Sequence, residues 1–206
     1  MIIKVCGITN TAQYCWLEEH GVDMIGINFY PQSKRYVSQL IERTNTDSTT
    51  DKIGVFVNPE LNYLLEKVAA NKLTMVQLHG NEPVKFCEEV AGHIAVIKAF
   101  GVDVNFNFAD TEPYLESTRY FLFDTKSSDY GGSGKKFEWQ KLTEYEFAKQ
   151  FLLSGGIKLE DIKEIIALNY PALAGIDVNS GFEISPGNKD LSKINTMLEL
   201  IQCNES

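Results

Sequence analysis

Cys6 and Asp124 stand at positions in the sequence that suit proton transfer. Cys6 ends the apolar run Ile2–Cys6, and its thiol, with an ordinary pKa of about 8.5, must lose a proton before it can act as a base or nucleophile. Asp124 ends a second apolar run, where partial loss of water favours the protonated carboxyl group that a general acid needs. Taken singly, a cysteine is more often a small buried hydrophobic residue and such an aspartate a turn or helix N-cap residue.

Four further polar residues stand within or after apolar runs: Arg35, Gln77, His79 and Asp177. Arg35 offers a cation to an acidic substrate, although an isolated arginine is more often a solvated surface charge. Gln77, His79 and Asp177 alternate with aliphatic residues, as side chains do on the two faces of a strand. Whether these four meet the acid and the base depends on the elements that carry them.

Short apolar runs alternate with helical patterns along the chain. The predicted strands are Ile2–Cys6, Met24–Asn28, Ile53–Val57, Met75–His79, Ala95–Ala99, Tyr120–Asp124, Phe151–Ser154 and Gly175–Val178. The predicted helices are Thr11–His20, Glu60–Asn71, Val84–Ala91, Lys158–Leu168 and Leu191–Gln202, and the segment 101–118 gives no clear prediction. Eight alternating units predict an α/β fold, a (β/α)8 TIM barrel that forms a single compact domain over residues 1–206. The alternative is a doubly wound open sheet, which usually has fewer strands and a Gly-rich first turn.

Alternation within the predicted strands separates a consistently apolar face from a mixed face. The apolar face should pack against the helices, and the mixed face should line the barrel interior and become polar towards the C-terminal end of each strand. Active sites of TIM barrels lie at that end. We therefore expect Cys6, Gln77, His79, Asp124 and Asp177 to converge on one mouth of the barrel.

Two glycine-containing loops follow the last two predicted strands. Gly155 and Gly156 follow the seventh strand, and Ser180 and Gly181 follow the eighth. Glycine lets backbone N–H groups approach an anion closely, and the loops after strands seven and eight are the recurrent phosphate site of this fold. Turns explain most Gly-Gly pairs taken alone, but the two loops together predict a phosphate site.

Composition excludes several classes of protein. The 206 residues include 19 Lys and Arg against 28 Asp and Glu, a net charge of −9 that argues against a nucleic-acid partner. No apolar run approaches the roughly 18 residues of a membrane span and the first residues lack a signal-peptide pattern, so we expect a cytoplasmic protein without a membrane partner. The four cysteines form no CxxC pair and the three histidines stand far apart, so neither a disulfide framework nor a structural zinc site is expected.

The glycine-rich segment 126–136 is only superficially similar to a nucleotide-binding loop. Asp129 stands where the first Gly of a Walker motif belongs, and Lys136 stands where Ser or Thr belongs. With three Gly and no aliphatic side chain, the segment has little apolar area to offset the entropy of ordering. We expect a mobile lid over the barrel mouth, anchored at its far end by Phe137 and Trp139.

Seven motifs appear in the order found in one known family. They are Lys4–Thr9, Ser33–Tyr36, Gln77–Gly80, Phe123–Thr125, Gly131–Trp139, Ser154–Gly156, and Asp177–Glu183 with Pro186–Asp190. Through them essentially the whole chain resembles the phosphoribosylanthranilate isomerases of tryptophan biosynthesis, a branch of aromatic amino-acid biosynthesis. Departures are mild, since Glu138, Asn179 and Ser154 replace the usual Asp, Ser and Ala.

The resemblance implies an Amadori rearrangement, an aldose–ketose isomerisation of N-(5-phosphoribosyl)anthranilate to 1-(2-carboxyphenylamino)-1-deoxyribulose 5-phosphate. It implies Asp124 as the general acid and Cys6 as the general base, drawn towards the thiolate with help from Lys4. Arg35 would pair with the anthranilate carboxylate. The implied substrate-binding residues are Arg35, Gln77, His79 and Asp177, and the implied phosphate-binding residues are Gly155, Gly156, Ser180 and Gly181.

The expected partner is a small phosphosugar, and we expect a monomer rather than a homodimer. One alternative is another phosphosugar-binding TIM-barrel isomerase, such as the related histidine-pathway enzyme, for which the resemblance would require a carboxylate where Cys6 stands. The other is a catalytically silent phosphate-binding barrel with a regulatory role, against which the presence of both Cys6 and Asp124 argues.

The implied chemistry requires no metal, nucleotide or redox cofactor, because the nitrogen of the substrate serves as the electron sink. Dialysis against EDTA should therefore leave the isomerisation rate unchanged, measured before and after dialysis on the same protein. Loss of turnover on dialysis, with recovery on addition of zinc, would contradict the mechanism.

Overall fold

The computed structural model describes residues 1–38, 41, 48–126 and 136–205. The predicted lid at 126–136 therefore lies almost wholly outside the described residues. Its expected anchors, Phe137 and Trp139, are both buried in the main apolar core. Among the described helices, none has the length and apolar character needed to cross a membrane.

Eight parallel strands form a closed barrel in chain order. They are β1 Ile2–Cys6, β2 Met24–Asn28, β3 Asp51–Phe56, β4 Met75–Leu78, β5 Ala95–Val102, β6 Tyr120–Thr125, β7 Phe151–Leu153 and β8 Leu173–Val178. All eight predicted strands are confirmed, with ends that differ by up to three residues. The barrel closes through β1 and β8, where Ile2 lies opposite Gly175 and Lys4 lies opposite Asp177, so the open-sheet alternative is wrong.

Helices connect the strands on the outside of the barrel. In the described part of the chain the α-helices are α1 Thr11–Glu19, α2 Leu61–Asn71, α3 Val84–Ala91, α4 Ile162–Leu168 and α5 Leu191–Glu205. The predicted helices are confirmed, except that the fourth opens with a 3₁₀ turn, Leu159–Asp161. The described residues after β5 and after β6 form the 3₁₀ helices Phe108–Tyr114 and Trp139–Glu144, respectively. A 3₁₀ turn at Ser180–Phe182 and a short hairpin, β9 Glu183–Ser185 and β10 Asn188–Lys189, lie between β8 and α5.

Local signals define the helix ends. The side chain of Asn10 accepts a hydrogen bond from the N–H of Gln13 at 2.9 Å and so caps the start of α1. Lys72 and Asn169, with φ of 51° and 47°, are in the left-handed conformation that ends α2 and α4. These sharp ends keep the connections short, which a barrel of this length requires.

The apolar core has two layers, one inside the barrel and one between the barrel and its helices. The interior layer consists of Met24, Ile53, Met75, Ile97, Ala99, Tyr120, Leu122 and Leu152. The outer layer includes the alternate strand residues Val5, Val76, Phe121 and Ile176. This confirms the predicted alternation, and the interior layer forms the apolar floor beneath the polar ends of the strands.

A buried ion pair joins the loops after β3 and β4. The Nζ of Lys98, on β5, lies 3.0 Å from Oε2 of Glu82. Oε1 of Glu82 accepts hydrogen bonds from the N–H of Asn58 at 2.8 Å and of Gly80 at 3.0 Å. One carboxylate therefore fixes two loops at the C-terminal ends of neighbouring strands.

Gly175→Ala should destabilise the barrel at its closing seam. A Cβ at Gly175 would lie 2.0 Å from the carbonyl oxygen of Ile2, a backbone atom that cannot move without disturbing the β1–β8 pairing. We expect the free energy of unfolding to fall by about 2 kcal/mol or more, measured by urea denaturation. Gly101→Ala, on β5, is the matched control, because the nearest atom to its Cβ is 3.4 Å away. Equal stability of the two variants would contradict this account of the seam.

Candidate active site

An open cleft lies at the C-terminal ends of the barrel strands. Its empty volume, including the solvent at its mouth, is about 680 Å³. It is lined by all the residues selected from the sequence, namely Cys6, Arg35, Gln77, His79, Asp124, Gly155, Gly156, Asp177, Ser180 and Gly181. The structure thus brings these side chains and loops together, and their individual roles stay predictions.

Cys6 occupies the end of β1 and is only 5% exposed. Gly26, its partner in register on β2, makes room for the thiol, because a Cβ there would lie 2.7 Å from Sγ. Burial raises the pKa of the Cys6 thiol above its ordinary value, while the neighbouring ammonium of Lys4 acts to lower it. Because the effect of burial is larger than that of the nearby cations, the pKa of Cys6 is raised overall. The expectation that Cys6 is drawn towards the thiolate is therefore not met.

Lys4 and Asp177 form a fully buried ion pair across the closing seam. Nζ of Lys4 donates to Oδ1 of Asp177 at 2.9 Å, and the two residues are 0% and 5% exposed. Burial acts to lower the pKa of Lys4, but Asp177 and Cys6 outweigh it and raise that pKa. Burial also raises the pKa of Asp177, against the effect of Lys4. The direct contact favours the ionised pair, and it occupies one oxygen of the predicted substrate ligand Asp177.

A chain of contacts leads from Gln77 to Asp124. Nε2 of Gln77 lies 2.6 Å from Nδ1 of His79, and Nε2 of His79 lies 3.3 Å from Oδ2 of Asp124. An amide N–H that donates to Nδ1 leaves the ring hydrogen on Nε2, facing the carboxyl group. Oδ1 of Asp124 accepts from the N–H of Thr125 at 2.8 Å. Among the described residues Oε1 of Gln77 is buried without a hydrogen-bond partner.

The loops after β7 and β8 pack tightly against their neighbours. Gly155 has a φ of +93°, and a Cβ there would lie 2.5 Å from the backbone nitrogen of Thr125. A Cβ at Gly181 would lie 2.1 Å from the carbonyl oxygen of Ile157, in the other loop. Only glycine fits at these places, so backbone lines this side of the cleft, as an anion site needs.

Arg35 is paired with a residue that the sequence analysis did not select. Its Nε and Nη2 donate to the two carboxylate oxygens of Glu183 at 2.8 and 2.6 Å. Nζ of Lys189 donates to Oε1 of Glu183 and to Oδ1 of Asn179, both at 2.7 Å. Burial acts to raise the pKa of Glu183, but Arg35 and Lys189 outweigh it and lower that pKa. Glu183 and Lys189 both lie within the motifs shared with the family, and this is the sequence feature that could have identified them.

The arrangement suits transfer of two protons at a bound anion. Cys6 approaches the cleft from β1 and Asp124 from β6, and the glycine loops of β7 and β8 lie between them. An acid and a base on different strands can act on different atoms of one molecule whose anionic group lies between them. Within the described ranges, no group of three or more His, Cys, Asp and Glu residues could hold a metal ion.

Below about pH 4.5, the free energy of unfolding of Glu183→Gln should depend less steeply on pH than that of the parent. Because the folded-state pKa of Glu183 lies below its ordinary 4.5, its contribution is complete above about pH 4.5 and is lost as the pH falls through the folded value. Urea unfolding from pH 6 to pH 3 should show a shallower decline for the variant than for the parent. Glu66→Gln, in an exposed pair, is the control. Parallel curves for parent and Glu183→Gln would contradict the assignment.

Comparison with known proteins identifies the family. The family model described as N-(5'phosphoribosyl)anthranilate (PRA) isomerase matches residues 3–200. The N-(5'-phosphoribosyl)anthranilate isomerase of Parabacteroides distasonis is 42% identical over 206 residues, covering 98% of this chain and 93% of its relative. A crystal structure described as mutually generated monomers of the dimeric enzyme from Thermotoga maritima has a TM-score of 0.78 and 34% identity, covering 98% of this chain and 99% of the other.

A second solved structure contains a bound ligand. It is a phosphoribosylanthranilate isomerase in complex with reduced 1-(o-carboxyphenylamino)-1-deoxyribulose 5-phosphate, with a TM-score of 0.77, 34% identity and 97% coverage of both chains. The sequence match, the shared barrel and the coverage of nearly the full length agree with one another. The chain belongs to the N-(5'-phosphoribosyl)anthranilate isomerase family.

Proposed function

We propose that this protein converts N-(5-phosphoribosyl)anthranilate to 1-(2-carboxyphenylamino)-1-deoxyribulose 5-phosphate, with Asp124 as the general acid and Cys6 as the general base. The observation that carries the assignment is one cleft that Cys6, Asp124 and the glycine loops after β7 and β8 all line. The complex of a relative with a reduced form of the product supports the choice of substrate.

Ring opening is the first step. The protonated carboxyl group of Asp124 gives its proton to the ring oxygen of the furanose, the bond from that oxygen to C1 breaks, and the anthranilate nitrogen forms a Schiff base with C1. His79 lies 3.3 Å from Asp124 and holds the carboxyl group in place, and Gln77 holds His79. A positioned acid contributes about 10²–10⁴-fold to such a step.

Removal of the C2 proton is the second step. The thiolate of Cys6 takes this proton, the electron pair passes towards the Schiff-base nitrogen, and an enolamine forms. The enolamine then tautomerises to the ketone, losing its hydroxyl proton and gaining one at C1. Cys6 ends protonated and Asp124 ionised, so transfer of one proton between them through water restores the starting state.

Two parts of the cleft hold the substrate. Backbone around Gly155, Gly156, Ser180 and Gly181 takes the phosphate, since glycine allows close approach of N–H groups. Nε and Nη2 of Arg35 donate to Glu183, and in this proposal its Nη1 donates to the anthranilate carboxylate. The bidentate contact fixes the plane of the guanidinium, which gives the remaining donor a defined direction.

The cellular setting stays a proposal as well. Cysteine use and the absence of a membrane-length apolar run favour a cytoplasmic protein. We propose a monomer, and the dimeric state named for the relative from Thermotoga maritima is the alternative that size-exclusion chromatography with light scattering would detect.

Cys6→Ala and Asp124→Asn should each lower kcat by about 10²–10⁴-fold with little change in KM, because each removes a proton-transfer group and leaves the binding loops in place. The measurement is the loss of substrate fluorescence as phosphoribosylanthranilate is consumed. Both variants should keep the circular-dichroism spectrum of the parent.

Matched controls separate the roles from general damage. Cys15→Ala on α1 and Asp110→Asn on a surface 3₁₀ helix remove the same groups outside the cleft and should leave kcat unchanged. Wild-type kcat in Cys6→Ala or Asp124→Asn would reassign that role. Absence of isomerase activity in the parent would favour the phosphate-binding barrel without catalysis.

A further inference from the structure

We propose that Lys189 is a positioning residue for the base: its buried ammonium, together with that of Lys4, makes the thiolate of Cys6 the charge-balanced state of the site. The inference rests on the proposed role of Cys6 and adds a residue that neither the sequence argument nor the reaction steps above use. It comes from the arrangement of buried charges around β1, β8 and the β9–β10 hairpin.

Lys189 is placed with little freedom. It lies on β10, a strand of two residues, and is 1% exposed. Its Nζ donates to Glu183 and Asn179 at 2.7 Å, while its backbone N–H and C=O pair with the side chain of Gln13 at 3.0 and 2.9 Å. Four hydrogen bonds therefore fix both ends of the residue.

Asn179 connects Lys189 to the neighbourhood of the thiol. A Cβ on Gly7, the residue after Cys6, would lie 2.9 Å from Oδ1 of Asn179, the same oxygen that accepts from Lys189. The oxygen that accepts from Lys189 thus packs against the residue that follows the base. Burial lowers the pKa of Lys189, while its contact with Glu183 and the charge of Cys6 act to raise that pKa and favour the ammonium.

The buried charges around Cys6 do not cancel when the thiol is neutral. The cations are Lys4, Lys189 and Arg35, and the anions are Asp177 and Glu183, and all five side chains are at most 10% exposed. Each carboxylate pairs directly with a cation, so one positive charge is left over in a region shielded from water. Loss of the thiol proton supplies the missing negative charge.

Burial and the two lysines compete at Cys6. Burial raises the pKa of the Cys6 thiol, Lys4 and Lys189 act to lower it, and Asp177 adds to the effect of burial. Arg35 also interacts with Cys6, and across the cleft Asp124 and His79 interact with Asp177. Lys4 is paired with Asp177 across the barrel seam, whereas Lys189 is paired with Glu183 outside the seam. Removal of Lys189 should therefore alter the ionisation of Cys6 with less damage to the seam.

The test measures the ionisation of Cys6 without substrate. In a background with Cys15→Ser and Cys203→Ser, the rate of Cys6 alkylation by iodoacetamide is followed from pH 6 to pH 11 by peptide mass spectrometry. Cys87 is fully buried and its pKa is raised to about 11, so it gives a separate, slow signal. Lys189→Met and Lys189→Gln should each move the midpoint of the alkylation profile upwards by about one pH unit or more, which is a roughly tenfold slower rate at pH 7.

Two variants serve as controls. Lys189→Arg keeps the charge and should keep the midpoint near that of the parent. Lys52→Met removes another buried lysine, one that bonds to the backbone of Ile41 and does not line the cleft, and should leave the profile unchanged. If Lys189→Met does not fold, Lys189→Gln decides, because its amide can still donate to Asn179 or Glu183.

An unchanged midpoint in a folded Lys189→Gln variant would overturn the proposal, as would an equal shift in Lys52→Met. A fall in kcat in Lys189→Gln with an unchanged alkylation profile would show a purely structural role and would also overturn it. Because alkylation needs no substrate, failure of this test and failure of the isomerase assay can be told apart.

Discussion

The pairing of β1 with β8 closes the barrel and also places the ion pair at the base of the cleft. Lys4 and Asp177 are direct partners in the register of these two strands, so their 2.9 Å contact exists only in the closed barrel. Cys6 follows two residues later on the same face of β1, with its thiol packed against Gly26. Closure of the sheet and assembly of the ion pair beside the thiol are therefore one structural event. A seam that failed to close would separate Asp177 from Lys4 and would also lose the strand pairing.

The charges at this seam are not explained by stability. A buried ion pair loses several kcal/mol per ion in hydration, and well-packed apolar residues of similar size are often as stable or more so. The Lys98–Glu82 pair on the other side of the barrel has a structural reason, because Glu82 also accepts backbone N–H groups from two loops. Lys4 and Asp177 instead lie on two barrel strands, and Asp177 lines the cleft. The proposed proton chemistry at Cys6 gives these charges a reason that stability does not.

Much of the fold and of the cleft follows from short-range sequence pattern. Period-two alternation in each strand correctly separates Lys4 and Cys6 from Val5, and the same parity places Asp124 and Asp177 in the cleft. The pattern is strong because one face of each strand packs against the helices and the other faces the interior of the barrel. The segment 101–118 had no period because it forms an extended strand end and a 3₁₀ helix, which has no amphipathic α-helical repeat.

What the sequence could not show depends on contacts between distant residues. Arg35 and Glu183 are 148 positions apart in the sequence. No local sequence pattern indicates that Nε and Nη2 of Arg35 both donate to the carboxylate of Glu183. Lys189 lies on a strand of two residues, too short to produce alternation. The direction of the Cys6 pKa was also beyond the sequence, because it depends on how deeply the thiol is buried, and composition does not give depth.

The two reacting groups differ in their access to water, and this difference fits their proposed roles. Cys6 is 5% exposed, whereas the side chains of Asp124 and His79 are 20% and 23% exposed. In the proposed reaction the acid gives its proton to the substrate in every turnover and must recover one, which contact with water allows. The base takes its proton from carbon, a weak acid, and a thiolate with little hydration is the stronger base towards it. In this proposal, depth in the barrel distinguishes an acid that exchanges with solvent from a base that is shielded from it, and Lys4 and Lys189 offset part of the effect of burial on the pKa of the thiol.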